Sequence, residues 1–320
     1  MRTRNTFIVI VCVLAAVGLL GCGSSKLNPE RISGTERYFP YLGEWISVSP
    51  GEQFLIFAEV DSTLPPPPYR GEFPSDFHLV TFDLRTGAKT NHVLDDIPSD
   101  ALTDYKSNPW LGIIYSFDPV GWNGGTFGIK CRDWRQRPWV VFIPGVPEAR
   151  VETRPESVGC SDCPPQGAVT KLSQSRGVAL NMEQPGRFSA AWRNGKLSDD
   201  LYMSRRHGDD LEFVRVGSDR KQKKVAKAGR FFSETGYYQT RVSPDERYLA
   251  YAVIFRFKVP IPTGGVVELF IRDMEKRRTY QVDGVYLGVS NLNWSHDSRT
   301  LFFGASSVDE NGVYRVTLPD

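Results

Sequence analysis

A chain of 320 residues allows one large all-β domain or two domains of average size. Lys and Arg (39) nearly balance Asp and Glu (37), and a net charge of +2 excludes any electrostatic case for nucleic-acid binding. Gly (29) and Pro (22) are plentiful and aromatics reach 12%, a composition of many turns between aromatic-rich strands that points to an all-β protein.

The chain opens with Arg2 and Arg4, followed by an apolar run from Phe7 to Leu20. That is the layout of a secretory signal, and the run is shorter than the about 20 helical residues needed to span a hydrocarbon core. Leu19-Leu20-Gly21-Cys22 ends it. This tetrapeptide resembles the bacterial lipoprotein lipobox, in which a small residue admits the peptidase and the following Cys is acylated. The resemblance implies residues 1–21 as signal peptide, Cys22 as the lipidated N-terminus and anchorage in the bilayer through its acyl chains. Each buried CH2 adds about 0.8 kcal/mol, so three chains make a permanent anchor. Gly23, in place of Asp, resembles the outer-membrane sorting class of Gram-negative lipoproteins. Residues 22–37 are expected to be the lipidated Cys and a polar linker, and residues 38–320 the folded domain.

Three segments superimpose. Val48-Ser49-Pro50-Gly51 precedes Phe54-Leu55-Ile56-Phe57; Val242-Ser243-Pro244-Asp245 precedes Tyr248-Leu249-Ala250-Tyr251; Trp294-Ser295-His296-Asp297 precedes Thr300-Leu301-Phe302-Phe303. Each reads as a strand, a tight turn and a second strand buried on both faces, the turn set by Ser49, Pro50, Ser243, Pro244, Asp245, Ser295 and Asp297. Weaker copies are placed at Trp122-Asn123 and at Glu183-Gln184-Pro185-Gly186, with Phe188–Trp192 expected as the strand after the turn. The five sites are roughly 50 to 75 residues apart, against about 40–50 for a compact four-stranded blade, so long loops are expected. A second pairing signal follows each site, at Leu79–Lys89, Trp139–Ile143, Leu201–Val214 and Leu269–Val282. The last unit is one strand short, and a strand within Arg37–Leu42 is expected to complete it. The repeat is similar to that of TolB-type β-propellers. The resemblance implies an all-β propeller of four-stranded blades, five favoured with six open, closed by an N-terminal strand.

Pro65–Tyr69 reads as a stiff polyproline loop, and Arg220–Lys224 with Lys227 and Arg230 as a basic loop between units. Of the remaining cysteines, Cys160 and Cys163 suit a loop disulfide, with Cys131 as an alternative partner. The oxidising compartment favours disulfides, and a tetrahedral zinc site lacks ligands nearby in sequence. No metal or other cofactor is expected. No Gly-x-Ser-x-Gly elbow, His-Glu-x-x-His or phosphate loop is present. Asp118, Asp199, Asp245 and Asp297 are the carboxylates considered for a tunnel glycosidase. The functional expectation is a non-catalytic, membrane-anchored scaffold in the cell envelope that binds a protein partner. The alternative is a carbohydrate-active or other small-substrate enzyme using the central tunnel.

Overall fold

The computed structural model describes residues 25–38, 46–60, 77–94, 117–123, 125–131, 139–152, 168–177, 188–193, 196–208, 210–228, 233–257, 266–284, 286, 288–306 and 311–320. The described residues begin with two short strands, β1 (Ser25–Leu27) and β2 (Glu30–Arg31). Blade 1 follows as β3 (Ser47–Val48), β4 (Phe54–Val60), β5 (Phe77–Asp83) and β6 (Lys89–Asn91). Blade 2 is β7 (Phe117–Asn123), β8 (Thr126–Cys131), β9 (Trp139–Ile143) and β10 (Val146–Glu152). Helix α1 (Ala168–Ser175) precedes blade 3, whose inner strand is β11 (Phe188–Ser189). A two-stranded hairpin, β12 (Trp192–Arg193) and β13 (Lys196–Leu197), interrupts that blade before β14 (Leu201–His207), β15 (Asp210–Val216) and β16 (Gln222–Ala228). Blade 4 is β17 (Ser233–Val242), β18 (Tyr248–Phe257), β19 (Val266–Asp273) and β20 (Arg278–Val282); blade 5 is β21 (Gly288–Trp294), β22 (Thr300–Ser306) and β23 (Asn311–Thr317). Pairing within each blade is antiparallel, so the protein is an all-β propeller with five blades among the described residues.

Alternation along the second and third strands of each blade builds the core. In β4, Ile56 and Ala58 pack with Trp122, Phe127, Val140 and Phe142 of blade 2. Leu55 and Phe57, one residue out of phase, pack with Phe302 and Val313 of blade 5. Successive strand residues point to opposite faces, and here both faces are covered, so the sequence shows an unbroken apolar run rather than an alternating one. Blades 4 and 5 share Ala250, Leu269, Ile271, Leu301 and Phe303, and blades 3 and 4 share Tyr202, Phe213, Leu249 and Tyr251, with the Phe213 and Tyr251 rings 4.2 Å apart. The opposite face of blade 3, formed by Leu201, Val214 and Val216, is capped by Val169 and Leu172 of α1.

Four sequence expectations are corrected. The strand that completes blade 5 is β2, antiparallel to β23 through Glu30↔Arg315 and Arg31↔Tyr314, not a strand within Arg37–Leu42. Tyr38 instead bridges Glu59 of blade 1, its buried ring set against Phe57. The span 22–37 is therefore not all linker: Ser25–Leu27 adds a parallel strand to β20. The basic stretch expected as a loop is largely β16, the outer strand of blade 3, where exposed lysines suit an unpaired sheet edge. In blade 3, Phe188–Ser189 is the strand before the inner turn, because Ser189 pairs with Tyr202 as Val242 pairs with Leu249 in blade 4.

Candidate functional site: the tight-turn face

In every blade the turn between the first and second strands and the turn between the third and fourth emerge at the same end of the disc. The first-to-second turns of blades 1, 4 and 5 share one construction. Ser49, Ser243 and Ser295 are buried, and each donates its backbone N–H across the turn, to the carbonyls of Phe54, Tyr248 and Thr300 at 2.8–2.9 Å. Each Ser hydroxyl also accepts the N–H of that same residue, at 2.9 Å from Phe54, 2.9 Å from Tyr248 and 2.8 Å from Thr300. In blades 4 and 5 the hydroxyl proton goes to Asp245 and Asp297, at 2.6 Å in both cases. Each of these carboxylates also takes a backbone N–H, from Arg247 at 3.0 Å and from Arg299 at 2.9 Å. Gly51 stands where the other turns have Asp, so blade 1 lacks this carboxylate bond.

The third residue after each Ser adopts a left-handed backbone: Glu52 at φ 54°, Glu246 at 61° and Ser298 at 63°. All three lean on the preceding blade. The Ser298 hydroxyl accepts the N–H of Asp245 at 3.1 Å, and the Glu246 carboxylate accepts the hydroxyl of Tyr202 at 3.4 Å. Glu52 accepts the backbone N–H of His296. A side chain in this strained region is disfavoured by about 1–2 kcal/mol relative to the right-handed one. Here each such residue carries a hydrogen bond that glycine lacks. The tight turns of blades 4, 5 and 1 are thus linked in one direction around the ring, and that of blade 4 is tied to Tyr202 on β14 of blade 3. Inner strands reinforce the joints: Val242 donates to the Ser189 hydroxyl at 2.9 Å, the Trp294 indole N–H to Arg241 O at 3.1 Å and the Asn293 amide to Ile46 O at 3.0 Å.

Titration follows these contacts. Burial, with Asp297 nearby, raises the Glu52 carboxyl above the ordinary carboxylate range. The Ser295 hydroxyl, with the N–H of Arg299, lowers Asp297. Burial drives the Tyr202 phenol upward, and the adjacent Glu246 adds to it. The third-to-fourth turns of blades 1 and 4 are held by Asp83 and Asp273, which the sequence reading did not single out. Asp83 accepts the N–H groups of Arg85 and Thr86 at 2.8 and 2.9 Å, and Asp273 those of Glu275 and Lys276 at 3.0 and 2.8 Å. Both are Asx turns, and an Asp at the end of an apolar strand, four residues before a left-handed position, was the available signal.

Of the four carboxylates considered for a tunnel site, Asp245 and Asp297 are engaged in their own turns. Asp199 is exposed between β13 and β14, 3.8 Å from Arg176, and Asp118 lies on the inner strand β7. Among the described residues, no three His, Cys, Asp or Glu side chains are grouped to hold a metal. Cys131 ends β8, while Cys22, Pro65–Tyr69, Cys160 and Cys163 lie outside the described residues.

No protein-family model matches the chain, and no curated protein matches it. Similar solved structures include the AtxE2 isopeptidase, 7% identical over 93% of this chain and 52% of its own, with a TM-score of 0.44. The chain spans about half the length of that protein. The putative TolB from Agrobacterium tumefaciens is 10% identical over 88% of this chain and 92% of its own, TM-score 0.28. The endo-arabinase from Bacteroides thetaiotaomicron VPI-5482 is 9% identical over 91% and 96%, TM-score 0.35. At such identities and scores the likenesses carry no argument about what this chain does.

Proposed function

We propose that the chain is a lipid-anchored scaffold of the bacterial cell envelope, non-catalytic, whose propeller holds a protein partner on its tight-turn face. The observation that carries this reading is the linkage of the turns of blades 1, 4 and 5 to one another and to Tyr202 of blade 3 through Glu52, Glu246 and Ser298. A face held in one arrangement loses little conformational freedom on binding, which favours association with a macromolecule of matching shape. That face also presents exposed charged groups of both signs, among them Arg85 and Glu275, suited to choosing a partner by charge complementarity. The lipobox-like Leu19–Cys22 supports acylation of Cys22, and Gly23 supports the outer membrane as the destination.

The test is crosslinking in intact cells that carry the full chain, followed by mass spectrometry of the recovered neighbours. We expect one or two envelope proteins to be enriched over a Cys22→Ser control. They should be lost when the exposed turn residues Arg85 and His296 are both changed to Glu. Absence of any protein enriched over the control would overturn the scaffold reading.

A further inference from the structure

Among the described residues, five non-glycine residues have a left-handed backbone, and three of them are explained by the bonds between blades described above. The other two are Arg220 at φ 60° and Arg277 at φ 54°. Both lie at the end of the third-to-fourth turn, Arg277 directly before the outer strand and Arg220 one residue earlier. In blades 1 and 2 that position is filled by Gly87 at φ 73° and Gly145 at φ 83°. Glycine is the residue this backbone favours, so blades 3 and 4 carry arginine against local preference. Neither arginine makes an ion pair or a side-chain hydrogen bond among the described residues. Both sit in exposed turns, Arg220 beside the Asp219–Lys221 ion pair (3.2 Å) in blade 3 and Arg277 between Lys276 and Arg278, after Glu275, in blade 4.

The N-terminal strand places the chain's start at this spot. β1 runs parallel to β20, with Ser25 beside Tyr280, so the chain enters β1 from the end of blade 4 that bears Arg277. The Arg278 guanidinium bonds the Ser25 hydroxyl and stacks 5.0 Å from the Tyr280 ring. Only Gly23 and Ser24 separate Cys22 from Ser25. At about 3.8 Å per residue, the Cys22 Cα lies within about 11 Å of the Ser25 Cα. An acylated Cys22 therefore cannot hold the disc clear of the bilayer. It brings the outer rim of blade 4, at its tight-turn end, down to the headgroups, with blade 3 next to it around the ring.

We propose that the basic rim formed by Arg220, Lys276, Arg277 and Arg278 rests on anionic phospholipid headgroups, so that the disc meets the membrane at the outer edge of blades 3 and 4. This orientation rests on the lipid-anchor reading above. Both arginines are exposed at turn ends, and phosphate is an anion that the planar guanidinium fork fits.

The test uses the Cys22→Ser mature chain, so that binding is measured without the acyl chains. It is sedimented with vesicles of phosphatidylcholine and phosphatidylglycerol at 7:3 and with vesicles of phosphatidylcholine alone, near 0.1 M salt. We expect binding to the mixed vesicles only. Arg220→Gly and Arg277→Gly should each weaken it about fivefold, since one cation near such a surface contributes about that much. Because glycine suits both backbones, the double variant should melt no lower than the parent, which separates lost contact from lost fold. Equal binding to both vesicle types, or undiminished binding of the double variant, would overturn the proposal. So would displacement by inorganic phosphate at constant ionic strength, which would assign the site to a free anion. The anchor is read separately, from the mass of the N-terminal peptide of the full chain recovered from membranes. A peptide without acyl groups, alongside vesicle binding that the glycine variants abolish, would count against the anchor and for the rim.

Discussion

Replacing Ser243 with Ala tests whether the buried turn hydroxyls organise the blades. The hydroxyl takes the N–H of Tyr248 at 2.9 Å and gives its proton to Asp245 at 2.6 Å, and Ser243 is wholly buried. Removing it leaves a buried N–H without its partner, a loss of about 1–3 kcal/mol, and deletes a hydrogen bond to a carboxylate, which is reduced to about 1 kcal/mol because Asp245 is exposed. The sum is about 3 kcal/mol. At about 2 °C per kcal/mol for a chain of this size, the midpoint should fall by about 6 °C in scanning calorimetry. Ser49→Ala provides the internal comparison. Its hydroxyl accepts only the N–H of the half-buried Phe54, and Gly51 offers no carboxylate, so the fall should be about 2 °C. Ser295→Ala should behave like Ser243→Ala, since Asp297 repeats the carboxylate bond. If Ser49→Ala and Ser243→Ala lowered the midpoint equally, the account of the carboxylate bond would be wrong.

Other outcomes follow from the joints between blades. A Cβ on Gly304 would sit 2.2 Å from the Tyr38 hydroxyl and 2.4 Å from Ile46 Cδ1, so Gly304→Val should destabilise by about 1–3 kcal/mol, read as a lower urea midpoint. Glu52 has its carboxyl raised on folding, so the native state holds that proton more tightly and stability falls as pH rises from the unfolded value through the native one. Glu52→Gln, which keeps an acceptor for the His296 N–H, should therefore raise the melting point at pH 7 and lose that advantage near pH 4. His92 has the opposite dependence. It is buried against Phe142, bonds Thr81 at 3.0 Å, and burial lowers it to about 4, so the unfolded chain binds the extra proton between pH 6.5 and 4. Stability from this group is present above pH 6.5 and lost as pH falls toward 4, and His92→Phe should flatten the melting curve over that window.

The legible parts of this fold are those whose residue types are dictated by burial. The runs at Leu55–Ala58, Leu249–Val253 and Leu301–Ala305 are covered on both faces and could only be apolar, and their Ser-led turns needed a hydroxyl to hold a buried N–H. The closing strand was misplaced because an outer strand contributes mainly backbone hydrogen bonds. Glu30 and Arg31 are half or fully exposed and polar, whereas Arg37–Leu42 looked like a strand because Tyr38 is a core residue. The edge strand β16 has a loop-like sequence for the same reason: its first three residues, Gln222, Lys223 and Lys224, face water. Blade 3 departs furthest from the repeat, since a two-residue inner strand and an inserted hairpin replace the turn that signals the other blades. Within the site, Ser243 and Ser295 with their carboxylates were visible as a motif. The reach of Glu52, Glu246 and Ser298 to the preceding blade was not, because it depends on a left-handed backbone that no residue type announces.

Strands β1 and β2 act on the last two blades, and this couples the segment from residue 25 to the closure of the ring. β2 completes blade 5 through Ile32, whose N–H bonds Val313 O at 2.9 Å, and through Thr35, whose hydroxyl accepts the Val313 N–H at 2.9 Å and donates to Ile32 O at 2.7 Å. These bonds are buried, while the Glu30–Arg315 pair is exposed and contributes at most about 1 kcal/mol. β1 lies outside them as a parallel strand of three residues on β20, with Leu27 packed against the core of blades 4 and 5. Any pull on residue 22 must strip β1 from blade 4 before it reaches β2. The short parallel strand therefore shields the closure of the ring from load at the N-terminus. Deleting residues 23–27 should leave the fold intact but expose β20 as an edge, whereas deleting through Arg31 should open blade 5 and lower the cooperativity of unfolding.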